Sequence, residues 1–233
     1  MEMPGESVYT DGTYLNNTKG TWHLEHSTFK AKHVARMLAR HPEIQLSTIC
    51  EIGCGAGGIL SELQGYLPSQ TTLTGYEISP QAHALSARFE SARCHYILGD
   101  AFADPLTFDL ALVMDVVEHV DDCFSFLRRT RLKARFKLYH IPLETYATAV
   151  LRGLNSWDTV HHRHLFTIET ALKSVEYTGH RLIDWMFTDA ALTLSGMPLR
   201  THLTNLVRRP LAKVSVKLAV RLFGGFSMLI LAE

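Results

Sequence analysis

The stretch Phe108–Met114 is apolar almost throughout, and it does most to narrow what this chain can fold into. A strand of that kind must be buried on both faces, which places it inside a mainly parallel sheet covered by helices. Its surroundings repeat the theme. Further strands are predicted at 47–52, 71–78, 95–98 and 136–141, alternating with helices at 26–40, 59–66, 80–90 and 122–130. Ser79 and Pro80 have the residue types of an N-cap and a first helical position. Pro42 ends the first helix and Pro142 the fifth strand. A strand–helix alternation on so short a period predicts a doubly wound α/β fold, mostly parallel and Rossmann-like. Beyond Pro142 the rhythm changes. An irregular or helical piece at 143–159 precedes a helix within 164–177 opened by Thr167. A strand at 181–187, a long basic helical stretch at 195–222 broken by Pro210, and a strand at 226–232 complete seven strands.

The 233 residues, 46% hydrophobic and 20% charged, suit one domain large enough to bury a full core. Lys plus Arg and Asp plus Glu balance at 23 each, so net charge points to neither nucleic acid nor membrane. The 4 cysteines make no CxxC pair and read as reduced structural thiols. The polar, acidic N-terminus has no signal-peptide pattern, and the longest apolar run is too short to span a bilayer. The expectation is a cytoplasmic protein without a transmembrane segment.

A ligand in such a sheet sits beyond the carboxyl ends of the strands, where strand order reverses. After the first strand comes Glu51-Ile52-Gly53-Cys54-Gly55-Ala56-Gly57-Gly58. Glycines allow a sharp turn and close approach to a ligand, and Gly53, Gly55 and Gly58 fit a dinucleotide fingerprint. The glycines alone do not separate NAD from S-adenosylmethionine (SAM). Three acids favour SAM. Glu51 would suit an ammonium group and repel a pyrophosphate. Glu77 ends the second strand, where a carboxylate can hold ribose hydroxyls. Asp100, followed by Ala101 and Phe102, could accept from an adenine amine while Phe102 lies against the ring.

With these residues the chain resembles the class I SAM-dependent methyltransferases of the small-molecule type, which carry an E-x-G-C-G-x-G turn. Asp115-Val-Val-Glu118-His119-Val120 is similar to their fourth-strand motif, and the likeness runs over about 49–142. The resemblance implies a sheet that ends in an antiparallel strand pair and SAM as cofactor, released as S-adenosylhomocysteine. It implies cofactor contacts from Glu51, Gly53, Cys54, Gly55, Gly57, Glu77, Ile78, Asp100, Ala101, Phe102 and the backbone at Asp115. The domain then divides into an N-terminal lid and helix (1–45), a cofactor-binding core (46–142) and an acceptor-side half (143–233). The expected acceptor is a small molecule, methylated on O or N, with RNA, protein or a catalytically silent partner role as alternatives. The sequence sets no oligomeric state.

Alignment supplies most of such a transfer, and an O or N acceptor also needs a proton acceptor, for which histidine suits neutral pH. Among the 13 histidines, His119, His140, His161 and His164 follow the fourth and fifth strands or crowd the loop at 161–167, and are the candidate catalytic residues. His162 is expected to matter less. Two histidines three apart could share a metal, but no Cys and no acid besides Asp158 is close in sequence, so no metal is expected. Tyr14, Trp22 and His23 in a possible lid, with Glu118, are the candidate acceptor contacts. Residues 190–232 hold Arg200, Arg208, Arg209, Lys213, Lys217 and Arg221 and no acid. The expectation there is a solvated basic face on a helix packed over the sheet, with an anionic substrate or membrane surface as the functional alternative.

Overall fold

The protein is described as a computed structural model covering residues 24–154, 161–193 and 199–233. The predicted lid contacts Tyr14, Trp22 and His23 lie outside the described residues.

Seven strands form one sheet: β1 Thr48–Ile52, β2 Thr72–Glu77, β3 Cys94–Leu98, β4 Phe108–Met114, β5 Ala134–Pro142, β6 Leu182–Thr188 and β7 Ser227–Ala232. Their spatial order is β3-β2-β1-β4-β5-β7-β6. The first five run parallel, and β7 lies antiparallel between β5 and β6. Strand order therefore reverses between β1 and β4, the position at which such a sheet opens a crevice. Leu110, Ala111, Leu112 and Val113 are wholly buried, as the apolar run of β4 requires.

Helices cover both faces. On one, α1 (Ser27–Ala39) and α2 (Gly58–Leu63) bury Val34, Met37, Leu60 and Leu63 against Leu110, Leu112, Leu229 and Leu231. On the other, Leu127 of α4 (Cys123–Lys133) and Ala171 and Val175 of α6 (Ile168–Tyr177) meet Ala111, Val113, Tyr139 and Ile230. Local chemistry fixes the helix starts. Ser79 Oγ accepts from Ala82 N at α3 (Pro80–Ser86), and Asp122 Oδ1 accepts from Ser125 N at α4. Thr167 and Thr170 form a reciprocal cap at α6. All four cysteines are buried and free.

The second half departs from expectation in two places. The stretch expected to be irregular or helical holds a short helix, α5 (Ala147–Arg152), while a helix not expected from the sequence, α7 (Ala190–Thr193), follows β6. The basic segment forms α8 (Leu199–Val214) and α9 (Val216–Phe223), and the division falls at Ser215, not at Pro210. Proline costs a helix one N–H bond, and α8 absorbs that loss within its span. Ser215 instead leaves helical geometry and caps α9 by accepting from Leu218 N. No described helix is long and apolar enough to cross a membrane.

Candidate active site

The glycine turn is held against β2 by two backbone bonds, from Gly53 N and Cys54 N to Tyr76 O, at 2.9 and 3.0 Å. Gly57 has φ +81°, and a Cβ there would lie 2.6 Å from Tyr96 Cε1. Gly53, at φ +73°, would collide with Val116 at 2.8 Å. Both positions therefore need glycine for shape as well as for backbone angle.

Four predicted acids gather at the carboxyl ends of β1, β2 and β4. Glu51 is 1% exposed and its Oε2 has no hydrogen-bond partner among the described residues. Burial pushes its pKa up to about 8, against the pull of Lys30, with Glu77 and Asp115 adding to the rise. A buried carboxyl of this kind lacks a cation or donor. Glu77 Oε2 accepts from Gly55 N at 2.7 Å and Oε1 from Ser79 N at 2.8 Å. Each oxygen keeps a second lone pair, and through these two bonds Glu77 ties down the turn.

Asp115 sits at φ +60°, a left-handed position that Asp tolerates better than most residues. Its carboxylate meets Lys30 Nζ at 2.6 Å and His140 Nδ1 at 2.5 Å, and His140 Nε2 lies 2.8 Å from Thr188 Oγ1. Burial alone would raise Asp115, but His140 and Lys30 hold it well below the usual carboxylate range. Burial alone would lower Lys30, yet Asp115 lifts it above its ordinary value. Lys30 comes from α1, where periodicity marks only a helix face, so nothing in the sequence singled it out.

After β3, Asp100 accepts from Phe102 N at 2.9 Å and pairs with Arg129 at 3.1 Å. The Arg129 guanidinium covers the Phe102 ring at 4.1 Å. Ala101 is buried, and Ile78 is left 44% exposed just past the end of β2, an open apolar surface beside Glu77.

The histidines sort into different tasks. His140 has both ring nitrogens engaged and acts as a buried strut between Asp115 and Thr188. His164 Nε2 lies 2.9 Å from Val120 O, so it donates there and tethers its loop to the segment after β4. Both geometries count against the proton-acceptor role expected of these two. His161 stands at φ +58°, and its carbonyl accepts from His119 Nδ1 at 3.2 Å. His119 is held near pKa 4, first by burial and then by His162. Its ring packs edge-on against His162, centroids 4.6 Å apart. His162 Nδ1 meets Glu144 Oε2 at 2.5 Å. The loop is thus built around His162, the histidine expected to matter less.

Glu118 lies in the same place. It is wholly buried, neither carboxylate oxygen has a partner among the described residues, and burial raises its pKa, with Asp115 adding to the rise. One ligand atom each from Glu118, His119 and His162 falls within 4.8 Å of the others, a spacing that could hold a divalent cation. The metal considered on sequence spacing, between His161 and His164, has no such cluster among the described residues.

A cavity of about 780 Å³ opens beyond Thr188, between α1, β6 and the α8–α9 pair. Met186, Phe187, Leu192 and Phe226 give it apolar walls, and Arg36, Arg209 and Lys213 stand among its lining.

Residues 50–135 match a family model described as a methyltransferase domain. Over 102 residues the chain is 34% identical to the mitochondrial ubiquinone biosynthesis O-methyltransferase of Schizosaccharomyces pombe. That match takes in 39% of this chain and 36% of the relative, so the chain spans about a third of the curated protein it matches. Among solved structures, magnesium protoporphyrin IX methyltransferase from Synechocystis with bound SAM superposes with TM-score 0.63 at 9% identity, covering 99% of this chain and 97% of that one. Phosphoethanolamine N-methyltransferase 2 of Haemonchus contortus, in complex with SAM, gives 0.57 at 14% identity, covering 86% of this chain and 51% of that one. Residues 50–135 thus match a methyltransferase domain, and the chain has the fold of these SAM-dependent methyltransferases.

Proposed function

We propose that this protein transfers a methyl group from SAM to an oxygen or nitrogen of a small molecule held in the cavity between α1 and α8. The observation that carries the reading is Glu51: a wholly buried carboxyl with an unpartnered oxygen, beside a glycine turn at the strand-order reversal. Such a group suits a cationic ligand end, which favours its ionised form.

SAM would supply a methyl group activated by sulfonium charge. Glu51 and the turn at Gly53 and Gly55 would hold its amino-acid end, Glu77 its ribose, and Ile78, Asp100, Ala101 and Phe102 its adenine. Lys30 and His140 keep Asp115 ionised and fixed at the end of β4. The Glu144–His162 pair, which does not line that cavity, would serve as proton acceptor for a reacting group that extends from it toward Glu118 and His119: a carboxylate on Nδ1 orients the ring and stabilises the imidazolium formed when Nε2 takes a proton. The cavity combines apolar walls with Arg36, Arg209, Lys213 and Asp189, which suits an amphiphilic molecule bearing charged or polar groups.

Calorimetry with SAM, S-adenosylhomocysteine and NAD tests the cofactor. Binding of the first two without NAD is expected, and tight NAD binding with no response to SAM would overturn the reading. Transfer of labelled methyl from SAM to a panel of phenols, amines and carboxylic acids tests the acceptor. Labelling confined to RNA or protein would place the enzyme in another class.

A further inference from the structure

In α8 Asn205 and Arg208 face inward, and a stripe of Leu and Val faces outward beside exposed Arg209 and Lys213. Asn205 and Arg208 are buried, with Arg208 Nη1 donating to Asn205 Oδ1 at 2.5 Å and Nη2 to Phe223 O at 2.9 Å. Asn205 Nδ2 in turn donates to Ala191 O at 2.7 Å. On the opposite side Leu203, Leu206, Val207 and Val214 are 60%, 73%, 54% and 85% exposed. Their spacing of three, four and seven residues lines them up along one helix face. Next to it, α9 exposes Val216 and Leu218, and α5, packed against α9, exposes Val150 and Leu151. Arg209, Lys213, Lys217 and Arg221 are exposed on the same helices, so apolar and basic side chains share the outer surface. An apolar stripe of this length is normally covered.

The charges around the stripe are of one sign. Arg209, Lys213 and Lys217 are exposed on the same two helices, and residues 190–232 contain no acid. Arg221 finds its acid, Glu169, only by reaching to α6. A second copy of the chain docking symmetrically would set these cations against their own copies with nothing to neutralise them. A single-stranded nucleic acid would want aromatic platforms, and no Phe, Tyr or Trp occurs between Phe187 and Phe223. Exposed Leu and Val interleaved with Lys and Arg is instead the pattern of a helix lying in a lipid–water interface, with its apolar side among acyl chains and its cations at phosphate.

We propose that the α8–α9 face, with α5 beside it, docks on an anionic lipid surface. Arg209, Pro210 and Lys213 also line the cavity, so docking brings the cavity rim to the bilayer. The docking itself does not depend on which acceptor the cavity takes.

The test is co-sedimentation of the full chain with vesicles of phosphatidylcholine alone and of phosphatidylcholine mixed with phosphatidylglycerol. Binding to the mixed vesicles is expected, weakening as salt rises. Two independent variants should each lose ~tenfold or more in vesicle affinity: Leu206→Ser with Val207→Ser, which removes apolar area, and Lys213→Glu with Lys217→Glu, which reverses charge. Both should keep the parent's melting temperature and S-adenosylhomocysteine binding, since no substituted side chain is buried or near the glycine turn. No sedimentation of the parent with the mixed vesicles would overturn the proposal, as would equal binding to neutral vesicles. A concentration-dependent dimer in sedimentation velocity that the Leu206→Ser/Val207→Ser variant abolishes would identify a second copy as the occupant and likewise overturn it.

Discussion

At the scale of single residues, Glu51 sets stability against binding. Its pKa near 8 means that around neutral pH much of it is protonated in the free protein. A folded-state pKa raised above the unfolded value gives stability that is fully present below the unfolded pKa, near 4.5, and is lost as pH climbs to about 8. Glu51→Gln should therefore raise the melting temperature at pH 8 more than at pH 5. It should also weaken SAM roughly ten- to a hundredfold, the worth of one charge-assisted bond at ~1.5–3 kcal/mol. Because a cationic ligand favours the ionised carboxyl, SAM binding should release protons at pH 7. Calorimetry in buffers of different ionisation enthalpy would measure this, and Glu51→Gln should abolish it. Proton release unchanged in the variant would assign the titration to another group.

His162 gives a second residue-scale prediction. His162→Gln should lower turnover by ~10²–10⁴-fold with SAM affinity retained. Glu144→Gln should lower it less, since it removes the group that orients the ring. His164→Gln should act mainly through stability, because it cuts a loop tether. Equal kinetic losses at His162 and His164 would contradict this division. The candidate histidines were legible as a cluster, but their roles were not. Which nitrogen meets which partner depends on Glu144, Val120 and Thr188, distant in sequence from the histidines they hold.

At the scale of elements, the glycine turn depends on space as well as on backbone angle. Gly57→Ala would force a Cβ to within 2.6 Å of Tyr96 and 2.8 Å of Ser86 at φ +81°. It should cost ~1–3 kcal/mol for the strained backbone alone and abolish measurable SAM binding. Denaturant melts and calorimetry check the two effects. The cap of α6 is a smaller test: Thr167→Ala should cost ~1 kcal/mol with no change in SAM affinity. Strands and caps were readable because their signals are local: an apolar run, a Ser before a Pro, a Thr at a helix start. The orientation of α8 was not. Its leucine spacing correctly announced a helix, but spacing does not say which side faces the sheet, and Asn205 and Arg208 claim the inner side through bonds to Ala191 and Phe223.

At the scale of the whole molecule, the central strands should be the last to open. The amides of β1, β4, β5 and β7 lie between two apolar layers, so their hydrogen exchange should report global unfolding. Exchange in α5, α8 and α9 should be faster, with less buried apolar surface holding them. Uniform protection across the chain would contradict this. The sequence by itself determined the parallel sheet and put Glu51, Glu77 and Asp115 at the ends of its strands. Each rests on patterning within one strand or turn, where neighbours in the chain are neighbours in space. Only the tertiary structure decided that Lys30 completes the Asp115 site, that Glu144 selects His162 and that α8 turns its apolar side outward. Those choices are made by contacts between residues far apart in the chain, whose relative energies depend on burial and pairing that no local pattern contains.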